Sequence, residues 1–308
     1  MTRTITLSDG KKIPALGWGN GSGGMNRNPD KALSAGVIAL KAGIHHIDTA
    51  QIYLTEVAAA GAIKEAGFTK ADVWVTSKLG KQGLSVDPKT IRENVQGTLD
   101  QLGFKPDLYL IHNPFVAEAG DGNIAKLWTI LEDLVQNGPL EGVSLGVSNF
   151  RPQDLKEILA VAKIKPVANQ LEFHPYVLTH LQPVLDICSA NGIVIESYGP
   201  LTPVLRHPTG GPLKPILERI AQRVSKEAGK TVDPTSVLLL WTIQKGAVAV
   251  TTSTREENIK TLASVDGLPD LTADEIKEIE ETGRKVHYRH YREHMEKDFA
   301  VPDLPSDL

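Results

Sequence analysis

Val73-Trp-Val-Thr-Ser-Lys78, Asp87-Pro88 and Leu108-Tyr-Leu-Ile-His112 follow one another in residues 73–112. The first and last are short apolar runs rich in β-branched and aromatic residues and read as strands. Asp87-Pro88 pairs a helix N-cap with proline at the first helical position and opens a helix over 88–102. Asp233-Pro234 repeats the device before a helix over 234–244. The same alternation recurs outward in both directions. Strands read near 15–18, 44–47, 73–77, 107–111, 143–147, 166–171, 193–197 and 247–250, with helical patterns at 30–42, 55–66, 88–102, 123–137, 151–162, 180–190 and 234–244. Eight strands in βαβα order predict an α/β fold, a (β/α)8 TIM barrel forming one domain over 1–308. An N-terminal hairpin (Ile5 to Leu7, Ile13 to Leu16) precedes it. Thr272-Ala-Asp-Glu275 has capping-box spacing and starts an additional C-terminal helix that Gly283 should end. Residues 202–232 read as a long connection and 284–308 as a tail. Long segments on the C-terminal face of a barrel build the substrate pocket, and the tail is expected there.

Composition excludes several classes. With one cysteine in 308 residues the chain has no disulfide framework, which suggests a reducing compartment. The start lacks the apolar core of a signal peptide, and no apolar run is long enough for a membrane span, so a cytoplasmic location is expected. A net charge of −4 without a basic block removes the electrostatic footprint of a nucleic-acid binder. The expected partner is a small molecule, and the expected state is a monomer.

In a (β/α)8 barrel, polar residues at the C-terminal ends of strands carry the chemistry. Asp48, Lys78 and His112 each follow an apolar run, and Tyr53 lies five residues after Asp48. Taken singly, Asp48 reads as a cap or ion-pair partner, Lys78 as a solvated charge, and Tyr53 or His112 as a satisfied pocket residue. A rival reading starts from Gly19, Gly21 and Gly24, a literal G-x-G-x-x-G after a strand, with Asp48 as the ribose-binding acid of a doubly wound dehydrogenase. Against it, Met25-Asn-Arg-Asn-Pro29 separates the last glycine from the helix that it should open, and Asp48 lies too far along.

Gly43-Ile-His-His-Ile-Asp48-Thr-Ala-Gln-Ile-Tyr53-Leu-Thr-Glu56 resembles the first signature of the aldo-keto reductases, and Leu131 to Phe150, ending Gly146-Val-Ser-Asn-Phe150, resembles their second. Asn169-Gln170 and Tyr198-Gly-Pro-Leu201 fit later elements, so the likeness covers nearly the whole chain. The resemblance implies reversible carbonyl reduction with a nicotinamide cofactor, NADPH/NADP+, bound without a Rossmann domain. It implies Tyr53 as general acid, with Lys78 as the cation that a phenol of pKa near ~10 needs beside it. Asp48 would hold that ammonium, and His112 would position the carbonyl oxygen. Ser148, Asn149 and Gln170 would meet the nicotinamide carboxamide, Tyr198 would stack on its ring, and Gly199 and Leu201 would approach the pyrophosphate.

At the adenosine end the chain departs from the family's usual pattern. Thr252 stands at the usual lysine position, Ser253 is retained, and Asn258 occupies the usual arginine position. Arg255 or Lys260 is the expected cation for a 2′-phosphate. In the substrate pocket, Asn113 follows His112 where tryptophan is common, and Gly21 stands where many members carry another tryptophan. Trp18, Asn113 and Phe115 are the candidate wall. These departures resemble the fungal branch that reduces α-keto amides, conjugated polyketones and keto-lactones. Two alternatives remain open: a general aldehyde or aldose reductase, and a redox-responsive binding subunit without turnover.

Smaller features carry less. His287, His290 and His294 have helical spacing but no cysteine or dense carboxylate cluster to complete a metal site, and read as an aromatic, basic tail packed on the barrel. Asn20-Gly-Ser22 is a glycosylation sequon expected to stay unmodified, and Cys188 reads as core packing.

Overall fold

The computed structural model describes residues 2–291. A two-stranded antiparallel hairpin, β1 (Thr4–Thr6) and β2 (Lys12–Pro14), precedes the barrel strands β3 (Leu16–Gly19), β4 (His46–Asp48), β5 (Trp74–Leu79), β6 (Leu108–Ile111), β7 (Ser144–Ser148), β8 (Ala168–Glu172), β9 (Val194–Tyr198) and β10 (Val248–Thr251). The eight pair in parallel in sequence order, and β10 closes on β3. Between successive strands lie α1 (Pro29–Lys41), α2 (Glu56–Glu65), α3 (Pro88–Leu102), α4 (Asn123–Asn137), α5 (Pro152–Leu159) and α6 (Leu178–Asn191). The β9-to-β10 connection holds α7 (Thr202–Leu205), α8 (Leu213–Ala228) and α9 (Pro234–Gln244), and α10 (Glu256–Ala263) and α11 (Ala273–Gly283) follow β10. The doubly wound alternative is thereby excluded. No helix among the described residues is long and apolar enough to cross a membrane.

Local chemistry accounts for the boundaries. The Asp87 side chain accepts from Thr90 N at 2.9 Å and that of Asp233 from Ser236 N at 2.8 Å, satisfying donors that each new helix leaves open. At α11 the Thr272–Glu275 capping box forms in both directions. Gly283 is the last residue of α11, but its role is close packing: a Cβ there would sit 2.5 Å from Pro175 Cβ. The sequence reading left 202–232 without a helix, yet α8 occupies half of it. Its signal is Leu213, Leu217, Ile220 and Val224, all buried at helical spacing. Packing against α8 on one side and β10 on the other explains why α9 is largely apolar all round, since residues 236–243 are all buried. Arg223 on α8 clamps Glu275 on α11 with Nε–Oε1 at 2.9 Å.

Strand parity sorts the barrel into two layers. Leu16, Trp18, Tyr109 and Ile111 join the large core between strands and helices. Leu108, Leu110, Val248 and Val250 belong to a second cluster, which the hairpin residues Leu7 and Ile13 complete. Leu7 and Ile13 are 2% and 0% exposed, so the hairpin plugs one end of the barrel. Removing that plug should cost stability by leaving a void that the closed sheet cannot collapse to fill. Ile13→Ala is expected to lose about 2–5 kcal/mol in urea unfolding, and a loss under about 1 kcal/mol would show that the hairpin is not part of the core.

Candidate active site

The opposite end of the barrel carries a polar constellation. Asp48 ends β4, and Lys78 lies inside β5, one residue before its end. His112 follows β6, and Tyr53 closes a 3-10 turn at Gln51–Tyr53. Lys78 is wholly buried, and its Nζ donates to Asp48 Oδ1 at 2.5 Å and to the Thr49 carbonyl at 3.1 Å. Burial acts to lower the ammonium's pKa, but the Asp48 carboxylate and the Tyr53 phenol outweigh it and hold Lys78 above the ordinary lysine value. Lys78 Nζ also lies 5.2 Å from the Tyr53 ring centroid, a cation beside the phenol. His112 Nε2 is 3.3 Å from the Tyr53 hydroxyl, and the two rings meet edge to face. Burial raises the phenol above its ordinary value, and Lys78 opposes that rise without reversing it. Tyr53 therefore keeps its proton at neutral pH.

A cavity of about 410 Å³ opens above this group. Asp48, Tyr53, His112, Ser148, Asn149, Gln170, Tyr198, Gly199, Leu201 and Thr252 all line it. They also hold one another. Ser148 Oγ donates to the Gln170 carbonyl at 2.8 Å. Asn149 Nδ2 donates to the His112 carbonyl at 3.0 Å, and Asn149 Oδ1 accepts from the Tyr198 hydroxyl at 2.6 Å. Asn149 adopts a φ of 58°, a left-handed conformation that asparagine tolerates. Gln170 Nε2 donates to Asp48 Oδ2 at 2.8 Å and to Glu196 Oε2 at 3.1 Å, which fixes its amide orientation and leaves Oε1 outside both bonds.

Other expected residues lie apart from the cavity wall. Trp18 sits on the helix-facing side of β3, 1% exposed, and its indole donates to the Ser253 carbonyl at 3.0 Å. Asn113 is 1% exposed, and its Oδ1 accepts from Phe115 N at 2.9 Å, so it caps the turn after β6. Phe115 lies beneath the Arg151 guanidinium, 5.3 Å from its ring centroid. Thus none of the three expected substrate residues lines the cavity. Strand parity removes Trp18, and local capping occupies Asn113. Where the adenosine end was expected, Lys260 pairs with Glu256 one helical turn away, and Arg255 meets the Asn258 amide. Ser253 Oγ accepts from Arg255 N at 3.2 Å.

The wall also holds residues that the sequence reading passed over, namely Ile52, Leu205, Arg206, Thr251 and Tyr291. Ile52 and Leu205 are exposed apolar residues, at 41% and 60%. Of the tail, 284–291 are described and 292–308, including His294, lie outside the described residues. Tyr291 reaches the cavity because the buried Glu172 carboxylate accepts from the backbone of His290 at 2.9 Å and of Tyr291 at 3.0 Å, which sets the Tyr291 ring edge-on to Tyr198. His287 packs on His180 with ring centroids 3.6 Å apart, and no metal-binding group of three or more such side chains occurs among the described residues. Gly21 lies against the Tyr53 ring, so that a Cβ there would stand 2.5 Å from Tyr53 Cζ. The room that a larger residue would take at Gly21 is filled by Tyr53. Cys188 is buried, which pushes its thiol up to about 12.

Residues 15–284 match the model of the aldo/keto reductase family. The chain is similar to an NAD/NADP-dependent indole-3-acetaldehyde reductase of Schizosaccharomyces pombe, 33% identical over 94% of this chain and 98% of that protein. It is also similar to an NADPH-dependent alpha-keto amide reductase of Saccharomyces cerevisiae, 31% identical over 91% and 90%. Among solved structures, the aldose reductase of Schistosoma japonicum superposes with a TM-score of 0.79 at 26% identity, covering 96% of both chains. Closed parallel barrel, polar constellation at one end and match over most of the length agree: the chain belongs to the aldo/keto reductase family.

Proposed function

We propose that this protein reduces a small ketone or aldehyde to the alcohol with NADPH, and that Tyr53 donates the proton. The observation that carries this reading is the buried Lys78–Asp48 pair at 2.5 Å, with Lys78 Nζ 5.2 Å from the ring centroid of a tyrosine whose hydroxyl meets His112 at the cavity floor. A phenol held in its protonated form suits an acid that releases its proton only as charge develops on the substrate oxygen. Lys78 stabilises the phenolate left behind, Asp48 keeps Lys78 charged and in place, and His112 hydrogen-bonds the carbonyl oxygen.

The wall fits a nicotinamide dinucleotide. Ser148, Asn149 and Gln170 offer a hydroxyl and two amides near one another, and Tyr198 offers a ring face. Thr252 Oγ1 is buried without a hydrogen-bond partner and lines the same cavity, a polar atom available to a ligand. When bound, the nicotinamide supplies the hydride. Gly199 and Leu201 approach the pyrophosphate in this reading, and Arg206 adds a cation beside them. Arg255 remains the candidate for the 2′-phosphate with Ser253 and Asn258, because Lys260 is engaged by Glu256.

For the substrate we favour an α-dicarbonyl, such as a keto lactone or an α-keto amide. Likeness to an alpha-keto amide reductase supports it, as do the polar groups of Arg206 and Tyr291 beside apolar Ile52 and Leu205. Asn113 is spent on its cap, so a second substrate oxygen is assigned to Tyr291 or Arg206 instead.

Tyr53→Phe is expected to lower carbonyl reduction by at least ~10²-fold while NADPH still binds, as read by tryptophan fluorescence titration. Near-wild-type turnover would remove Tyr53 from the acid role. Absence of turnover in the wild type, despite tight NADPH binding, would favour the binding-subunit alternative. Gly21→Ala drives a Cβ into the tyrosine ring and should lower kcat by roughly 10-fold or more with the fold intact by circular dichroism. An unaffected kcat would mean that the ring yields without consequence. In a substrate screen, kcat/KM for keto lactones, α-keto amides or cyclic diketones should exceed that for a matched monocarbonyl; a preference for simple aldehydes or aldoses would select the general-reductase alternative.

A further inference from the structure

Behind the reacting group lies a carboxyl with no role in the scheme above. Glu196 stands opposite Gln170 in the β8–β9 register and is 0% exposed. Its Oε2 accepts from Gln170 Nε2 at 3.1 Å, and its Oε1 has no hydrogen-bond partner. The other Gln170 amide hydrogen goes to Asp48 Oδ2 at 2.8 Å, so that two carboxyls share one amide beside one ammonium. Lys78 contacts Asp48, not Glu196, and the β10 residues paired with this part of β9, Val248 to Val250, are apolar. The charged groups that act on Glu196 are therefore Asp48 from β4 and Lys78 from β5, with Tyr53 beyond Lys78. One cation cannot neutralise two buried carboxylates, and the carboxyl without an ion pair is the one favoured as the neutral acid. Burial and the Asp48 charge push Glu196 up to about 8, against the opposing influence of Lys78 and Gln170.

We propose that Glu196 is a positioning residue for the reaction: as a neutral acid it fixes the Gln170 amide and leaves Lys78 to Asp48, and when it ionises it strengthens the hold of Tyr53 on its proton. This rests on Tyr53 being the acid. The sign follows from charge. Ionised Glu196 adds a negative charge behind Lys78, which disfavours a phenolate at Tyr53. Reduction, which needs the protonated phenol, is lost as pH rises through the Tyr53 titration, and oxidation of the alcohol, which needs the phenolate, appears over the same interval. Ionised Glu196 moves that interval upward, favouring reduction over a wider range.

Glu196→Gln keeps an acceptor for Gln170 and removes the charge. Its alkaline limb for reduction and its rising limb for alcohol oxidation should both fall at lower pH than in the wild type, by roughly half a pH unit or more. Its NADPH dissociation constant, from fluorescence titration, should stay within about 3-fold, since Gln170 remains anchored; Glu196→Leu, which removes the acceptor, should weaken NADPH further. Independently of any pH–rate profile, infrared difference titration of the wild type should show a protonated-carboxyl band at pH 7 that is lost near pH 8 and is missing from Glu196→Gln. The variant subtraction separates this band from that of Glu56, whose carboxyl burial raises to about 7. Coincident pH limbs in wild type and variant, or no Glu196-dependent band at pH 7, would overturn the proposal. Those results with an inactive Tyr53→Phe enzyme leave the acid assignment standing, whereas an active Tyr53→Phe enzyme removes both.

Discussion

A fully buried ammonium is the constraint around which this barrel is arranged. Taking the Lys78 charge out of water costs several kcal/mol unless another charge and good acceptors replace the lost hydration. Asp48 at 2.5 Å and the Thr49 carbonyl at 3.1 Å do so. Once that pair exists, its neighbours are restricted. The remaining Asp48 oxygen takes a hydrogen from Gln170, and the second Gln170 hydrogen goes to Glu196. Tyr53 meets the ammonium from above and remains protonated because burial outweighs the pull of Lys78. The interior is thus a chain of polar contacts in which each group's protonation depends on the next.

The scaffold keeps this chain rigid by separating it from the apolar work of folding. One end of the barrel is packed by Leu108, Leu110, Val248 and Val250 and stoppered by Leu7 and Ile13. Helices cover the outside, where Trp18 and Tyr109 are buried. At the open end, the Glu172 carboxylate draws in the backbone of residues 290–291 and turns a distant segment into a cavity wall. An interior carboxylate so buried needs those donors, and the tail needs an anchor; each satisfies the other.

Much of this was legible in the sequence. The eight strands, most helices and the capped starts at Asp87, Asp233 and Thr272 follow from periodicity and capping chemistry; Asp48, Lys78 and His112 stand out by position after apolar runs, and Tyr53 joins them through the resemblance to the family's first signature. Helix α8 was legible too, in Leu213, Leu217, Ile220 and Val224, but lay in a segment read as a loop. The pocket wall was not legible. Trp18 and Asn113 have the right chemistry a residue or two from the cavity, yet strand parity turns one toward the helices and a local cap occupies the other.

The sequence by itself determined what depends on neighbours along the chain: helix starts, strand runs, the closed alternating fold and the residue types available for proton transfer. Only the tertiary structure decided what depends on closing the sheet. It set Glu196 behind Gln170, brought Tyr291 to Tyr198 and Gly21 to the Tyr53 ring, and drew Arg206 into the wall. These pairs are far apart in the chain or differ by a single pleat. Spacing along one strand or helix carries no information about which residue meets them across the barrel.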